Sequence, residues 1–255
     1  MFISGLVSIS FRKFDIDKVI EMVKKAGLEA IEWGGDVHVP HGDIARAKEV
    51  RDKCDEAGII LPSYGSYYWA AGENEDNPDF ADVLEAGKVL GVKTIRIWAG
   101  TRGSVDADAE YRTAVAEDIK RVAALSTQVG ISVSLEFHGG TLTDTRESTL
   151  ALMPEVPDSN IKFYWQPPVG SSVADNVETI TLMEQRVSNI HVFHWNMVDG
   201  RHNRLSLCEG IDQWTQYFAA LDSIQPRVAM LEFVKKDDES QFYQDAEVLK
   251  KLLNN

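Results

Sequence analysis

The chain has 255 residues, of which 44% are hydrophobic and 26% charged, with a formal net charge of −14. That length supports a sizeable core in an ordinary globular protein. So acidic a surface repels phosphate backbones and anionic lipid, so neither nucleic acid nor membrane is an expected partner, while homo-oligomer formation is left open.

The opening "MFISGLVSISFRKF" is apolar but lacks a basic leader region and a small-residue cleavage site, and reads as a first strand rather than a signal peptide. No apolar run reaches the length of a membrane helix, which makes the cytoplasm the default location. "DIDKVIEMVKKAG" then predicts a helix capped by Asp15, with Val19, Met22 and Val23 on one face. From here a phrase recurs: "KKAGLEAIEW", "DEAGIILPSY", "KVLGVKTIRIW" and "TQVGISVSLEF". Each reads as a helix end, a glycine able to close the helix in the left-handed region, and a short apolar strand. The two cysteines, Cys54 and Cys208, fit neither a metal spacing nor a disulfide framework and read as reduced and structural.

The second half continues the alternation. "IKFYWQ", "SNIHVFHW" and "RVAMLEFV" are further strand candidates, followed by helical stretches near 175–187, 211–223 and 239–253. Eight strands alternating with helices imply a parallel sheet. Eight units in this length fit a closed (β/α)8 TIM barrel occupying 1–255 as one domain. The rival, an open doubly wound sheet, lacks a glycine-rich turn after its first strand.

In such a barrel chemistry sits at the C-terminal ends of the strands. There strand two offers Glu32, strand four Arg96 and Trp98, strand five Glu136 and His138, strand six Gln166, strand seven His191 and His194, and strand eight Glu232. Glu136 and His138 share a strand face. A carboxylate on the inner face of a buried strand is costly unless a charge meets it. Glu136, Gln166, His194 and Glu232 come from four successive strands and are donors of the kind that hold Mn²⁺, Mg²⁺, Co²⁺ or Zn²⁺. One divalent ion would offset the two buried acids. His191, of opposite parity to His194, reads more simply as a packing histidine.

With these phrases in order, the chain resembles the xylose isomerase-like TIM-barrel superfamily of sugar isomerases, sugar epimerases and endonuclease IV-type proteins. The resemblance is carried by "GLEAIEWGG", "SLEFHGGTLTDT", "NIHVFHWN", "RLSLCEGIDQW" and "MLEFV". It implies a metal site of Glu, Asp, His and Glu, which falls on Glu136, position 166, His194 and Glu232. Position 166 is Gln, whose amide oxygen can bind a hard cation but adds no charge. Where epimerases of the family often carry a substrate histidine, this chain has Val169.

The implied activity is isomerisation or epimerisation of a small carbohydrate, free or phosphorylated. The metal would act as a Lewis acid, and Glu136 and Glu232 would serve as ligands and proton carriers. His38, His138 and Arg204 are expected to position hydroxyls, and Trp69, Trp98 and Trp165 to wall the pocket. The alternatives are a keto-polyol dehydratase on the same barrel and a degenerate, non-catalytic sugar-binding barrel. An endonuclease fits poorly with six histidines and strong acidity.

Overall fold

A computed structural model describes residues 2–72, 74–168, 170–221 and 225–254. The helix starts follow from side chains able to accept from an unpaired backbone N–H. Asp15, Asp43, Asp79 and Asp108 each cap a helix in this way. At the other ends Gly27, Gly58 and Gly91 adopt φ of 66°, 70° and 73°, the left-handed conformation that closes a helix. The helices are α1 (Ile16–Ala26), α2 (Ile44–Ala57), α3 (Phe80–Leu90), α4 (Ala109–Thr127), α5 (Arg146–Glu155), α6 (Val173–Met183), α7 (Ile211–Ala220) and α8 (Glu239–Leu253).

Between them run the barrel strands β1 (Phe2–Val7), β2 (Ala30–Gly34), β3 (Ser63–Trp69), β4 (Thr94–Trp98), β5 (Ser132–Glu136), β6 (Ile161–Trp165), β7 (Val187–Val192) and β10 (Arg227–Leu231). All pair in parallel, and the ring closes where β10 meets β1. The expected (β/α)8 barrel is therefore the fold. One element was not foreseen from the sequence. Between β7 and α7 an antiparallel hairpin stands apart from the barrel, made of β8 (His194–Val198) and β9 (Arg201–Leu205). Among the described residues no helix is long and apolar enough to cross a membrane.

The main apolar core lies between the strands and the surrounding helices. Among the described residues, the barrel interior holds a small apolar cluster of Val7, Ala30, Tyr164, Val228 and Met230. Charged and hydroxyl side chains fill much of the rest: Glu32, Arg96, Ser63, Ser134 and His191 are all buried. Gly5 lets β1 approach its neighbours, because a Cβ there would lie 2.8 Å from both the Ala30 carbonyl oxygen and Met230 Cγ. Gly5→Ala is therefore expected to lower stability by roughly 1–3 kcal/mol through overpacking. Urea unfolding measures it, and an unchanged midpoint would contradict this close approach.

Candidate active site

Strand parity sends Glu32, Arg96, Glu136 and His191 into the barrel, where their charges meet. The Arg96 guanidinium donates through Nε to Glu32 Oε1 (2.9 Å) and through Nη1 to Glu136 Oε2. Trp98 Nε1 donates to the same Glu136 oxygen at 2.5 Å. The other oxygen, Oε1, accepts from Gln166 Nε2 at 3.2 Å and stands 3.4 Å from His191 Nδ1. Glu136 thus has donors on both oxygens.

His191 sits at the centre of this cluster and is fully buried. Its Nδ1 faces Glu232 Oε2 (3.2 Å), Glu136 Oε1 (3.4 Å) and Gln166 Oε1 (3.2 Å). Its Nε2 faces Glu32 Oε1 at 3.5 Å. Gln166 Nε2 also donates to the Phe137 carbonyl at 2.6 Å, which turns the amide oxygen towards His191. Glu232, just past β10, is 3% exposed, and its Oε2 has no hydrogen-bond partner.

Burial works against ionisation of Glu32, Glu136 and His191, and their charged neighbours decide the outcome. Desolvation would raise the pKa of Glu136, but Arg96 and then His191 outweigh it and hold the carboxyl at about 2. For Glu32 desolvation is likewise overridden by Arg96 and His191, and its pKa lies far below the usual carboxylate range. For His191 desolvation pulls downward, and the surrounding Glu232, Glu136 and Glu32 raise the imidazole well above its ordinary value. The charges of Arg96 and His191 thus favour the ionised carboxylates of Glu136 and Glu32, and those carboxylates favour the protonated imidazole.

The donor set suits a divalent ion. Glu136, His191 and Glu232 each offer a ligand atom, and these atoms all lie within 4.8 Å of one another. Glu232 Oε2, on the side of the cluster that His191 Nδ1 faces, is a buried polar atom without a hydrogen-bond partner. A metal would have to displace the proton of His191, so binding must strengthen as pH rises. Its identity is not fixed by these donors, since carboxylate and imidazole suit Mn²⁺, Co²⁺ and Zn²⁺ alike.

Not every residue singled out in the sequence reaches this cluster. His194 does not: β7 ends at Val192, and His194 opens the hairpin, partly exposed, with its ring against Gly210. The histidine at the donor cluster is His191, three residues earlier and of opposite parity. His38 is 1% exposed, beside Trp33, with Nε2 donating to the Phe14 carbonyl at 3.1 Å. Arg204, on β9, pairs with Asp237 Oδ1 at 2.6 Å and lies over the Phe233 ring. Trp165 turns outward to Trp214 and Tyr217 in the core, whereas Trp69 packs on Trp98. Val169 lies outside the described residues.

Above the cluster a cavity of about 380 Å³ opens, lined by His138, Asp144, Gln166, Trp195, His202 and Phe233 among others. The exposed His138 ring leans on Trp98 at 4.9 Å, and its Nδ1 meets the Gly139 carbonyl at 2.7 Å. Trp195 stacks on both His202 and Phe233, so the hairpin forms one wall. Tyr67, in the left-handed region at φ 52°, borders Trp98 where the β3–β4 register shifts. A larger cavity, about 700 Å³, lies at the opposite end around Thr94, Ser132 and Lys162, away from the donor cluster. Glu32 and Arg96 carry roles that the sequence reading left unassigned. Their signal was charge within apolar strand runs.

The closed barrel thus gathers two buried acids and an imidazole at its C-terminal mouth, a group able to hold a metal ion. The chain belongs to the family of xylose isomerase-like TIM barrels, whose model matches residues 20–252. It is 32% identical over 209 residues to a 3-dehydroshikimate dehydratase of Bacillus anthracis, covering 78% of this chain and 74% of that protein. The crystal structure of a probable 3-DHS dehydratase involved in petrobactin synthesis, also from Bacillus anthracis, superposes with a TM-score of 0.80. It is 20% identical over 98% of this chain and 99% of the other. D-psicose 3-epimerase of Clostridium cellulolyticum H10, solved with D-tagatose, gives 0.72 at 17% identity over 99% of each chain.

The charge cluster should appear in acid unfolding. In the unfolded chain Glu136 takes up a proton near its ordinary 4.5, whereas in the folded protein it does so only at about 2. The stability it contributes is complete above the unfolded pKa and is lost as pH falls through the folded one. Urea unfolding of metal-free protein across this interval should give a falling stability whose slope becomes shallower in Glu136→Gln. An equal slope in both would contradict the assigned pairing.

Proposed function

We propose that this chain is a divalent-metal-dependent dehydratase acting on a hydroxylated cyclic keto acid of the 3-dehydroshikimate type. The observation that carries the reading is the inequality of the two mouth carboxylates. Glu136 is held by Arg96, Trp98 and Gln166, with a pKa of about 2, while Glu232 keeps one oxygen without a hydrogen bond. Epimerisation by two bases needs both carboxylates to exchange protons. Elimination of water needs one base beside the carbonyl and one proton donor at the departing hydroxyl. The similarity to the 3-dehydroshikimate dehydratase supports the same choice.

Glu136, His191 and Glu232 would hold the ion, with the Gln166 amide oxygen as a neutral fourth donor. The ion would polarise the substrate carbonyl and make the adjacent C–H acidic. Glu232 then takes that proton. The electron pair of the C–H bond becomes the new C=C bond as the hydroxyl one carbon further leaves, accepting a proton from His138 and departing as water. His138 performs this step as the imidazolium: Nδ1–H is held by the Gly139 carbonyl, and the proton given up is the one on Nε2. Trp98, Trp195 and Phe233 offer flat faces to a ring. Arg96 and Gln166 keep Glu136 ionised and in place.

A second reading, sugar isomerisation or epimerisation, is supported by two carboxylates, Glu136 and Glu232, both lying close to His191 Nδ1 at 3.4 and 3.2 Å and by the fold shared with D-psicose 3-epimerase. The two readings separate in one assay. Purified protein with Mn²⁺, Mg²⁺, Co²⁺ or Zn²⁺ and 3-dehydroshikimate should generate new ultraviolet absorbance. Glu232→Gln should reduce turnover by about 10²–10⁴, the usual cost of losing a general base. No absorbance change with any of these ions, together with deuterium uptake from solvent into a ketose, would overturn the dehydratase reading in favour of the second.

A further inference from the structure

We propose that Glu32 is the positioning carboxylate of the metal site, holding His191 through Nε2 so that Nδ1 is the nitrogen offered to the ion. The inference rests on the metal-dependent reading above. The two ring nitrogens have different surroundings. Nδ1 faces the oxygens of Glu232, Gln166 and Glu136 at 3.2, 3.2 and 3.4 Å. Nε2 points to the other side of the ring, where Glu32 Oε1 stands at 3.5 Å, within ion-pair distance but with no hydrogen bond yet formed. A ligating imidazole that gives its second N–H to a carboxylate has its tautomer and ring orientation fixed.

Glu32 is well placed for this role and poorly placed for any direct one. It is fully buried beneath His191 and is not among the residues lining the cavity at the mouth. Its Oε2 accepts from Ser63 Oγ at 2.7 Å and its Oε1 from Arg96 Nε at 2.9 Å. Ser63 in turn meets the Tyr164 hydroxyl at 2.9 Å, and the Tyr164 ring packs against His191 at 4.6 Å. The carboxylate is therefore anchored from strands β3 and β4 before any ion arrives. Because the same guanidinium binds Glu136, Glu32 orients one ligand directly and a second through Arg96.

The test uses the full chain and Co²⁺ alone, read by calorimetry and by the visible ligand-field spectrum. The wild type should bind Co²⁺. Glu32→Gln, checked for folding by circular dichroism, should bind about 10–100-fold more weakly, the usual loss when a ligand's supporting partner is removed. Its visible band should also shift, because the His191–cobalt bond changes. Ser63→Ala keeps the Glu32 charge but removes one anchor, and should weaken binding less. If Glu32→Gln does not fold, Ser63→Ala carries the test. A folded Glu32→Gln with wild-type affinity and spectrum would overturn the assignment, as would an unchanged Ser63→Ala where only that variant folds. Failure of the wild type to bind Co²⁺ would instead overturn the metal reading itself.

Discussion

The guanidinium of Arg96 lies between two carboxylates inside the barrel, and the candidate site depends on it. Glu32 and Glu136 are both almost fully buried, and each is ionised because Arg96 stands against it. A buried carboxylate without such a partner would take up a proton and lose its value as a ligand. Removing one member of a buried pair typically costs about 3–5 kcal/mol, because the remaining charge is stranded. The small apolar cluster inside the barrel leaves room for this arrangement. In place of close-packed branched side chains, much of the interior is a bonded network running from Ser63 through Glu32 and Arg96 to Glu136.

Charge balance links this network to the proposed metal. Three carboxylates share this interior: Glu32 and Glu136 bind the cationic Arg96, and Glu232 faces His191. When His191 is neutral, one divalent ion together with Arg96 matches them in charge. A further carboxylate at position 166 would leave an excess of negative charge in a low-dielectric interior. The glutamine there fits this balance: it contributes an oxygen while its amide nitrogen ties Glu136 to the Phe137 carbonyl. Without the ion, the proton on His191 supplies part of the missing positive charge. Metal and proton would therefore compete for one imidazole.

The fold was legible because helix caps and closing glycines are local signals. Asp15 as a cap and Gly27, Gly58 and Gly91 as stops can be read within a few residues of sequence. The site was legible in part. Glu136, Gln166 and Glu232 stand at strand ends that apolar runs mark clearly. His191 and His194 were harder, since they lie three residues apart with opposite parity, and only the end of β7 at Val192 decides which one faces inward. That end is set by the hairpin, whose pairing of His194 with Leu205 spans eleven residues and leaves little trace in local pattern. The cluster joining Glu32, Arg96 and His191 was visible only as isolated charges in apolar strands. Partners 64 positions apart in sequence, as Glu32 and Arg96 are, meet because the barrel closes.

The proposed ion, when bound, would sit on His191 within the Arg96-supported cluster. This placement is tested most directly by a crystal structure of the protein soaked in Mn²⁺ or Zn²⁺, with the ion located by anomalous scattering. One strong peak is expected roughly 2.0–2.2 Å from His191 Nδ1 and from carboxylate oxygens of Glu136 and Glu232, with His194 unligated in the hairpin. A peak on His194, or none in the barrel mouth at a saturating concentration of either ion, would contradict it.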